Sequence, residues 1–201
     1  MSGSYVLPNV VSKGPRGDRV LDVWSRLLEE RVVYLGTEVD DGVANALIAQ
    51  VLHLEAESPD EPIHLYLNST GGSITATFAL YDTIRFCRAP VTTTCVGQAF
   101  SPTALLLAAG EPGHRSVLPH ARVLLHQPSA QGRGAIPDLI LAAEEVLAVR
   151  TELEEALSLH TGRTVAELRR DTDRDRVLRA DDIVAYGLAD RVITARDVPT
   201  R

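Results

Sequence analysis

The chain is poor in cysteine, poor in aromatic residues and short of positive charge, and each shortage removes a class of function. Cys87 and Cys95 are the only thiols in 201 residues, so no disulfide framework holds the fold. Neither has Cys-x-x-Cys or Cys/His spacing, which argues against a zinc site. Cys95 stands in an apolar run and reads as a buried small hydrophobe. Aromatic residues make up 4%, too few for a surface that stacks on bases. Lysine and arginine total 20 against 27 aspartates and glutamates, a formal charge of -7. Nothing therefore draws the chain as a whole to nucleic acid or to an anionic membrane. No stretch has the length of a transmembrane helix, and no basic segment followed by an apolar run marks a secretory signal. The simplest location is the cytoplasm, which the low cysteine count fits.

What is present suffices for one domain with a sizeable core, which Leu, Val and Ala must fill at 45% hydrophobic content. Residues 1–19, with Gly3, Pro8, Gly14, Pro15 and Gly17, read as an irregular arm. Apolar periodicity predicts helices over 20–30, 43–57 and 74–86, a helix of small and apolar residues after Ser101, a long amphipathic helix over 137–159 and a short one over 180–186. Strands are expected over 31–36, 63–68, 91–96, 122–127 and 191–194. Strands alternating with helices argue for an α/β fold with parallel pairing and helical crossovers. The long helix carries more apolar surface than a peripheral helix needs, which points to a subunit contact.

Chemistry concentrates in three places. The run from Cys95 to Gly110 reads as a strand, a turn at Gly97 and a helix, with Ser101 where turn becomes helix. Such a junction can present a nucleophilic hydroxyl, although Ser followed by Pro is equally a helix N-cap with proline at the first helical position. Arg122-Val-Leu-Leu-His-Gln-Pro128 is a strand ending in His126, which taken alone is as well read as a packed histidine. Arg170-Asp-Thr-Asp-Arg-Asp-Arg176 is a charged cluster that taken alone is a solvated surface. Serine, histidine and aspartate in this order suggest acyl transfer. The turn Asn68-Ser-Thr-Gly-Gly-Ser73 frees backbone N–H groups for an oxyanion or a phosphate, but no lysine follows its glycines as a phosphate loop requires.

Together these segments resemble the ClpP family of serine peptidases. The resemblance runs from Tyr5 to Thr194 and rests on Trp24-Ser-Arg-Leu-Leu-Glu-Glu-Arg31, Asn68-Ser-Thr-Gly-Gly-Ser-Ile-Thr75, Tyr81-Asp-Thr83, Gly97-Gln-Ala-Phe-Ser101, His126-Gln-Pro128, His160-Thr-Gly162 and the 170–176 cluster. It implies the ClpP/crotonase fold, stacked β-α-β units with a protruding handle helix over about 137–160, an N-terminal axial arm over 1–19, one peptidase domain over 20–194 and a tail over 195–201. It implies two stacked heptameric rings, a tetradecamer around a closed chamber, fed with unfolded proteins by an AAA+ ATPase of the ClpX, ClpA or ClpC type in protein quality control. By the same resemblance Ser101 matches the nucleophile, His126 the general base and Asp175 the carboxylate that orients it. Gly72 matches one oxyanion donor, and Asp173 and Arg174 the pair that links ring contact to the active site. Leu52, Tyr66, Phe86 and Ile193 match the apolar pocket that receives the ATPase loop. No metal or organic cofactor is called for.

The chain departs from that pattern at several points. The family draws its second oxyanion N–H from the residue after the nucleophile, and here that residue is Pro102, which has none. Ala130-Gln131 stands where the family has two glycines. His64 replaces an aromatic residue of the docking pocket, and His53 an apolar residue near it. A long propeptide is not expected, only a short trim at Met1–Ser4. The expectation is a serine endopeptidase of weak or conditional activity, working in a homomeric or a mixed ClpP particle. The alternative is a largely non-catalytic structural or regulatory subunit of a mixed particle. A crotonase-like enzyme acting on acyl-coenzyme A has little support, because the serine, histidine and aspartate motifs are those of peptidases.

Overall fold

A computed structural model describes residues 8–14, 17–129 and 133–195. The elements run β1 (Asn9–Gly14), β2 (Gly17–Asp22), α1 (Val23–Glu29), β3 (Val32–Leu35), α2 (Asp41–Glu57), β4 (Ile63–Ser69), α3 (Ile74–Phe86), β5 (Val91–Phe100), α4 (Thr103–Ala108), β6 (Arg115–Val117), β7 (Arg122–Leu125), α5 (Ile136–Thr161), α6 (Val165–Asp171), β8 (Arg176–Arg179), α7 (Ala180–Tyr186) and β9 (Arg191–Val192). Strands β3, β4, β5, β6 and β9 lie side by side and parallel, as helical crossovers between them require. At the far end of β5, β7 pairs parallel to it and β8 returns antiparallel to β7. The expected α/β architecture is present, with antiparallel pairing added at β7–β8.

Two expectations are corrected. The part of the arm that is described is regular. β1 and β2 form an antiparallel hairpin with Asn9 opposite Asp22 and Gly14 opposite Gly17. The glycines that suggested irregularity close its turn, and Gly17 at φ +106° sits where a side chain would be strained. The helix expected over 20–30 accordingly starts only at Val23, capped by Asp22, whose carboxylate accepts the N–H groups of Trp24 and Ser25.

The second correction concerns Gly97, which is no turn. β5 runs through it to Phe100. It pairs with β4 and β6 up to Cys95, then with β7 from Gln98 onward. A Cβ at Gly97 would lie 2.4 Å from the Asn68 side-chain oxygen. The glycine marks a close approach inside a strand. By carrying β5 to Phe100 it sets Ser101 at the sheet end beside the tip of β7, whose Leu124 carbonyl accepts the Ser101 N–H at 2.8 Å.

The core lies between the sheet and its helices. α2 buries Ala44, Leu47, Val51 and Leu54, α3 buries Leu80, Tyr81 and Ile84, and every residue of α4 is buried. A helix apolar all round belongs inside a core. α5 differs. It buries only Leu153, Glu154 and Leu157, near its C-terminus, while Ile136, Leu139, Ile140, Leu141 and Leu147 stand exposed. Cys95 is buried, as expected, and Cys87 is half-buried. Burial pushes each up to about 11, with the Glu55 carboxylate adding to the effect at Cys87.

Candidate active site

Ser101 follows the last residue of β5 and precedes α4. The reading of Ser101 as an N-cap does not hold. Pro102 occupies the cap position, the helix has no side-chain cap, and the Ser101 hydroxyl makes no hydrogen bond among the described residues. The turn is tied down by Thr103, whose Oγ1 donates to the Phe100 carbonyl at 2.6 Å. The Ser101–Pro102 peptide is cis.

The two glycines after β4 are held against this turn. A Cβ on Gly71 (φ +103°) would meet the Ser101 carbonyl oxygen at 2.5 Å, and one on Gly72 (φ +130°) would meet the Val39 carbonyl at 2.2 Å. Both positions therefore require glycine, in conformation and in space. Val39 donates to the Gly71 carbonyl and accepts from Ser73, clamping Gly72 between them. The Gly72 N–H itself has no hydrogen-bond partner among the described residues.

Ser101, Gly72, Pro102 and His126 line one cleft of about 350 Å³. Ile74 on one side and Val146 and Val149 of α5 on the other give it apolar walls. The His126 Nδ1 lies 2.9 Å from the Gln127 carbonyl oxygen. A carbonyl only accepts, so a proton is on Nδ1, and in the neutral ring this leaves the lone pair on Nε2, the tautomer that a general base needs. Asp175 is not at the cleft. It is exposed in the segment between α6 and β8 and makes no hydrogen bond or ion pair among the described residues. Four of the sequence-predicted residues, Ser101, Pro102, His126 and Gly72, are thus brought together, and a backbone carbonyl takes the place on Nδ1 expected for the carboxylate.

The other expected site residues are scattered. Asp173 and Arg174 are exposed, with the Arg174 Nη1 donating to the Asp173 carbonyl at 3.1 Å. Tyr66 and Ile193 line an apolar groove of about 470 Å³ together with Leu27, Val32, Tyr34 and Leu118. Leu52 and Phe86 do not join it; they stand on α2 and at the end of α3, 41% and 82% exposed. His64 turns to β5, its Nδ1 2.9 Å from the Thr92 hydroxyl, and His53 lies near Glu57 on α2. Ala130 and Gln131 fall outside the described residues. Sequence reasoning gave no role to Gln127, Arg150 and Glu154, which form a polar network beside His126. The signal was Glu154 itself, a charged residue between Leu153 and Leu157 on the buried side of a helix.

The family model for Clp protease matches residues 15–196. The chain belongs to the Clp protease family. It is 57% identical over 194 residues to the ATP-dependent Clp protease proteolytic subunit 1 of Nocardia farcinica, covering 96% of this chain and 98% of that one. It is 56% identical to proteolytic subunit 4 of Rhodococcus jostii, covering 95% and 98%, and 56% identical to proteolytic subunit 2 of Streptomyces avermitilis, covering 96% and 98%. Membership supports the expected fold and the serine endopeptidase class. No helix among the described residues is long and apolar enough to cross a membrane.

Proposed function

We propose that this chain is the proteolytic subunit of an ATP-dependent Clp protease, cleaving unfolded protein delivered by an AAA+ unfoldase. The observation that carries the reading is the shared cleft of Ser101, His126 and Gly72, with a base in the right tautomer and an amide left unbonded beside the hydroxyl. In this reading the Ser101 hydroxyl attacks the scissile carbonyl while His126 Nε2 takes its proton and later returns it to the leaving amine. The Gly72 N–H receives the oxyanion. Asp175 moves in to take the Nδ1 proton contact from the Gln127 carbonyl, since a carboxylate stabilises the imidazolium better than a neutral carbonyl does.

Pro102 has no N–H for the second oxyanion donor. Loss of one such donor costs roughly 2.7–4 kcal/mol, on the order of 10²–10³ in turnover. Activity of the chain alone is therefore weak or conditional. The exposed apolar row on α5 suits the ring-to-ring contact of a tetradecamer, the exposed side chains of Asp173 and Arg174 suit contacts across it, and the groove at Tyr66 and Ile193 suits an unfoldase loop. One Frankia casuarinae strain carries relatives named proteolytic subunit 2 and subunit 3, at 48% and 50% identity. Such paralogues in one organism favour a mixed particle.

A second reading, a structural or regulatory subunit that cleaves little, is favoured by the open contact between His126 and Asp175 and by Pro102. The experiment that separates the two is intact-mass analysis after treatment with a fluorophosphonate probe. A single adduct, absent from Ser101→Ala, is expected. No adduct in the chain alone or in any particle it forms with a sister subunit would overturn the peptidase reading.

A further inference from the structure

α5 carries a charge on the face it buries. Glu154 is 2% exposed, and a carboxylate there must be paired. Arg150, one turn earlier, donates from Nε to Oε1 at 2.8 Å. Arg169 of α6 donates to Oε2 from Nε at 2.9 Å and from Nη2 at 2.6 Å.

Arg150, so fixed, has two further N–H groups in use. Its Nη1 donates to Gln127 Oε1 at 2.8 Å and its Nη2 to the Arg169 carbonyl at 3.2 Å. Gln127 passes the link on. Its backbone N–H donates to the Thr172 carbonyl at 2.9 Å and its Nε2 to the Asp173 carbonyl at 3.1 Å. Its own carbonyl is the group that accepts from His126 Nδ1. One guanidinium thus joins the root of α5, the segment after β7 and the end of α6. The residue it grips sets the His126 ring on one side and the backbone two residues before Asp175 on the other.

We propose that Arg150, seated on Glu154, is a positioning residue that acts through Gln127 to hold His126 and the Asp173–Asp175 segment at working distance. The inference rests on the roles given above to Ser101, His126 and Asp175. Stability alone is a poor account of the network. A buried ion pair seldom outperforms apolar side chains of the same volume, and Leu153 and Leu157 already pack beside it. What an apolar residue cannot do is orient a planar fork of donors toward three elements at once. Lysine cannot do it either.

The test measures two quantities in the full chain, in the particle it forms. One is the rate of Ser101 labelling by a fluorophosphonate. The other is the ¹⁵N imidazole signature of His126, which reports the nitrogen that carries the proton and needs no active serine. Gln127→Leu spares the buried ion pair and carries the decision if Arg150→Met fails to fold. Each variant is expected to label about tenfold more slowly, a modest loss for misplaced reacting groups, and to shift His126 away from the Nδ1-protonated form. The double variant is expected to be no slower than the slower single one, because both act along one path. Arg150→Lys should fall between wild type and Arg150→Met. Folded variants with wild-type labelling and a wild-type His126 signature would overturn the proposal, as would losses that multiply in the double variant. If wild type shows no Ser101 adduct while the His126 signature still moves with Gln127 and Arg150, the positioning role stands and the assignment of the nucleophile falls. If the signature does not move, the positioning role falls whatever the labelling shows.

Discussion

Ser101 and His126 face the same cleft, yet the ground under each is made differently. Beneath Ser101 lie β5 and α4, with Leu105, Leu106 and Leu107 all buried and glycines pressed against the turn from the other side. The serine is held by close packing, which resists displacement because any shift opens a void or a clash. Beneath His126 there is a four-residue strand, then a segment tied by Gln127, Arg150 and Glu154 to two helices. His126 is held by hydrogen bonds that run through the half-buried Gln127 and Arg150 to the buried Glu154, and Asp175 stands exposed. Packing gives the nucleophile a fixed seat. Hydrogen bonds, which can be remade without opening a void, seat His126.

The comparison predicts that damage to the two sides will be read differently. Leu106→Ala removes a fully buried side chain from α4 and should cost about 2–5 kcal/mol of stability, seen as a lower urea midpoint. Fluorophosphonate labelling of the molecules that remain folded should change little, because a seat made of packing fails by unfolding. A folded Leu106→Ala protein that labels far more slowly would show the two sides to be alike.

On the packed side the proposed function turns on Pro102, which has no N–H. Pro102→Ala restores an N–H after the nucleophile. It should raise peptide turnover by up to the 10²–10³ that one oxyanion donor supplies, about 2.7–4 kcal/mol. The gain should appear in kcat with KM little changed, since the donor acts on the transition state. An unchanged kcat would place the limit on the His126 side and sharpen the contrast.

What buried apolar spacing and short motifs set was the legible part of the sequence. The helices expected over 74–86 and 180–186 appear with those bounds as Ile74–Phe86 and Ala180–Tyr186, because apolar spacing there is set by burial. Ser101, His126 and Gly72 could be read from motifs that sit at strand ends. The elements and the polar network around His126 were not legible. β8 buries only Leu178, too thin a pattern to announce a strand, and β6 has three residues. α6 did carry a signal in the capping box of Thr164 and Glu167, which the charged run after it masked. The network around Arg150 joins residues 23 and 19 positions apart, a kind of contact that no local pattern reports. Nor could local pattern tell that Gly97 continues a strand, since a glycine that ends one and a glycine that admits a neighbour look the same in one dimension.

The seam between the two regions offers the smallest and cleanest test. His160, in the last turn of α5, meets the hydroxyl of Tyr81 from α3 at 2.9 Å through Nε2, while its carbonyl accepts from Arg115 of β6 at 3.1 Å. Burial first, and then the positive charges of Arg85 and Arg115, push its imidazole down to about 4 from an ordinary value near 6.5. The folded state therefore refuses a proton that the unfolded chain accepts between those values. Stability should be full above about pH 6.5 and fall as the pH drops toward 4. The whole shift corresponds to roughly 3 kcal/mol, which partial exposure reduces to about 1–2 kcal/mol. His160→Gln keeps a neutral hydrogen-bonding group against Tyr81 and cannot titrate, so its urea midpoint should lose less than that of wild type between pH 7 and pH 4.5. Parallel losses would assign the acid sensitivity elsewhere.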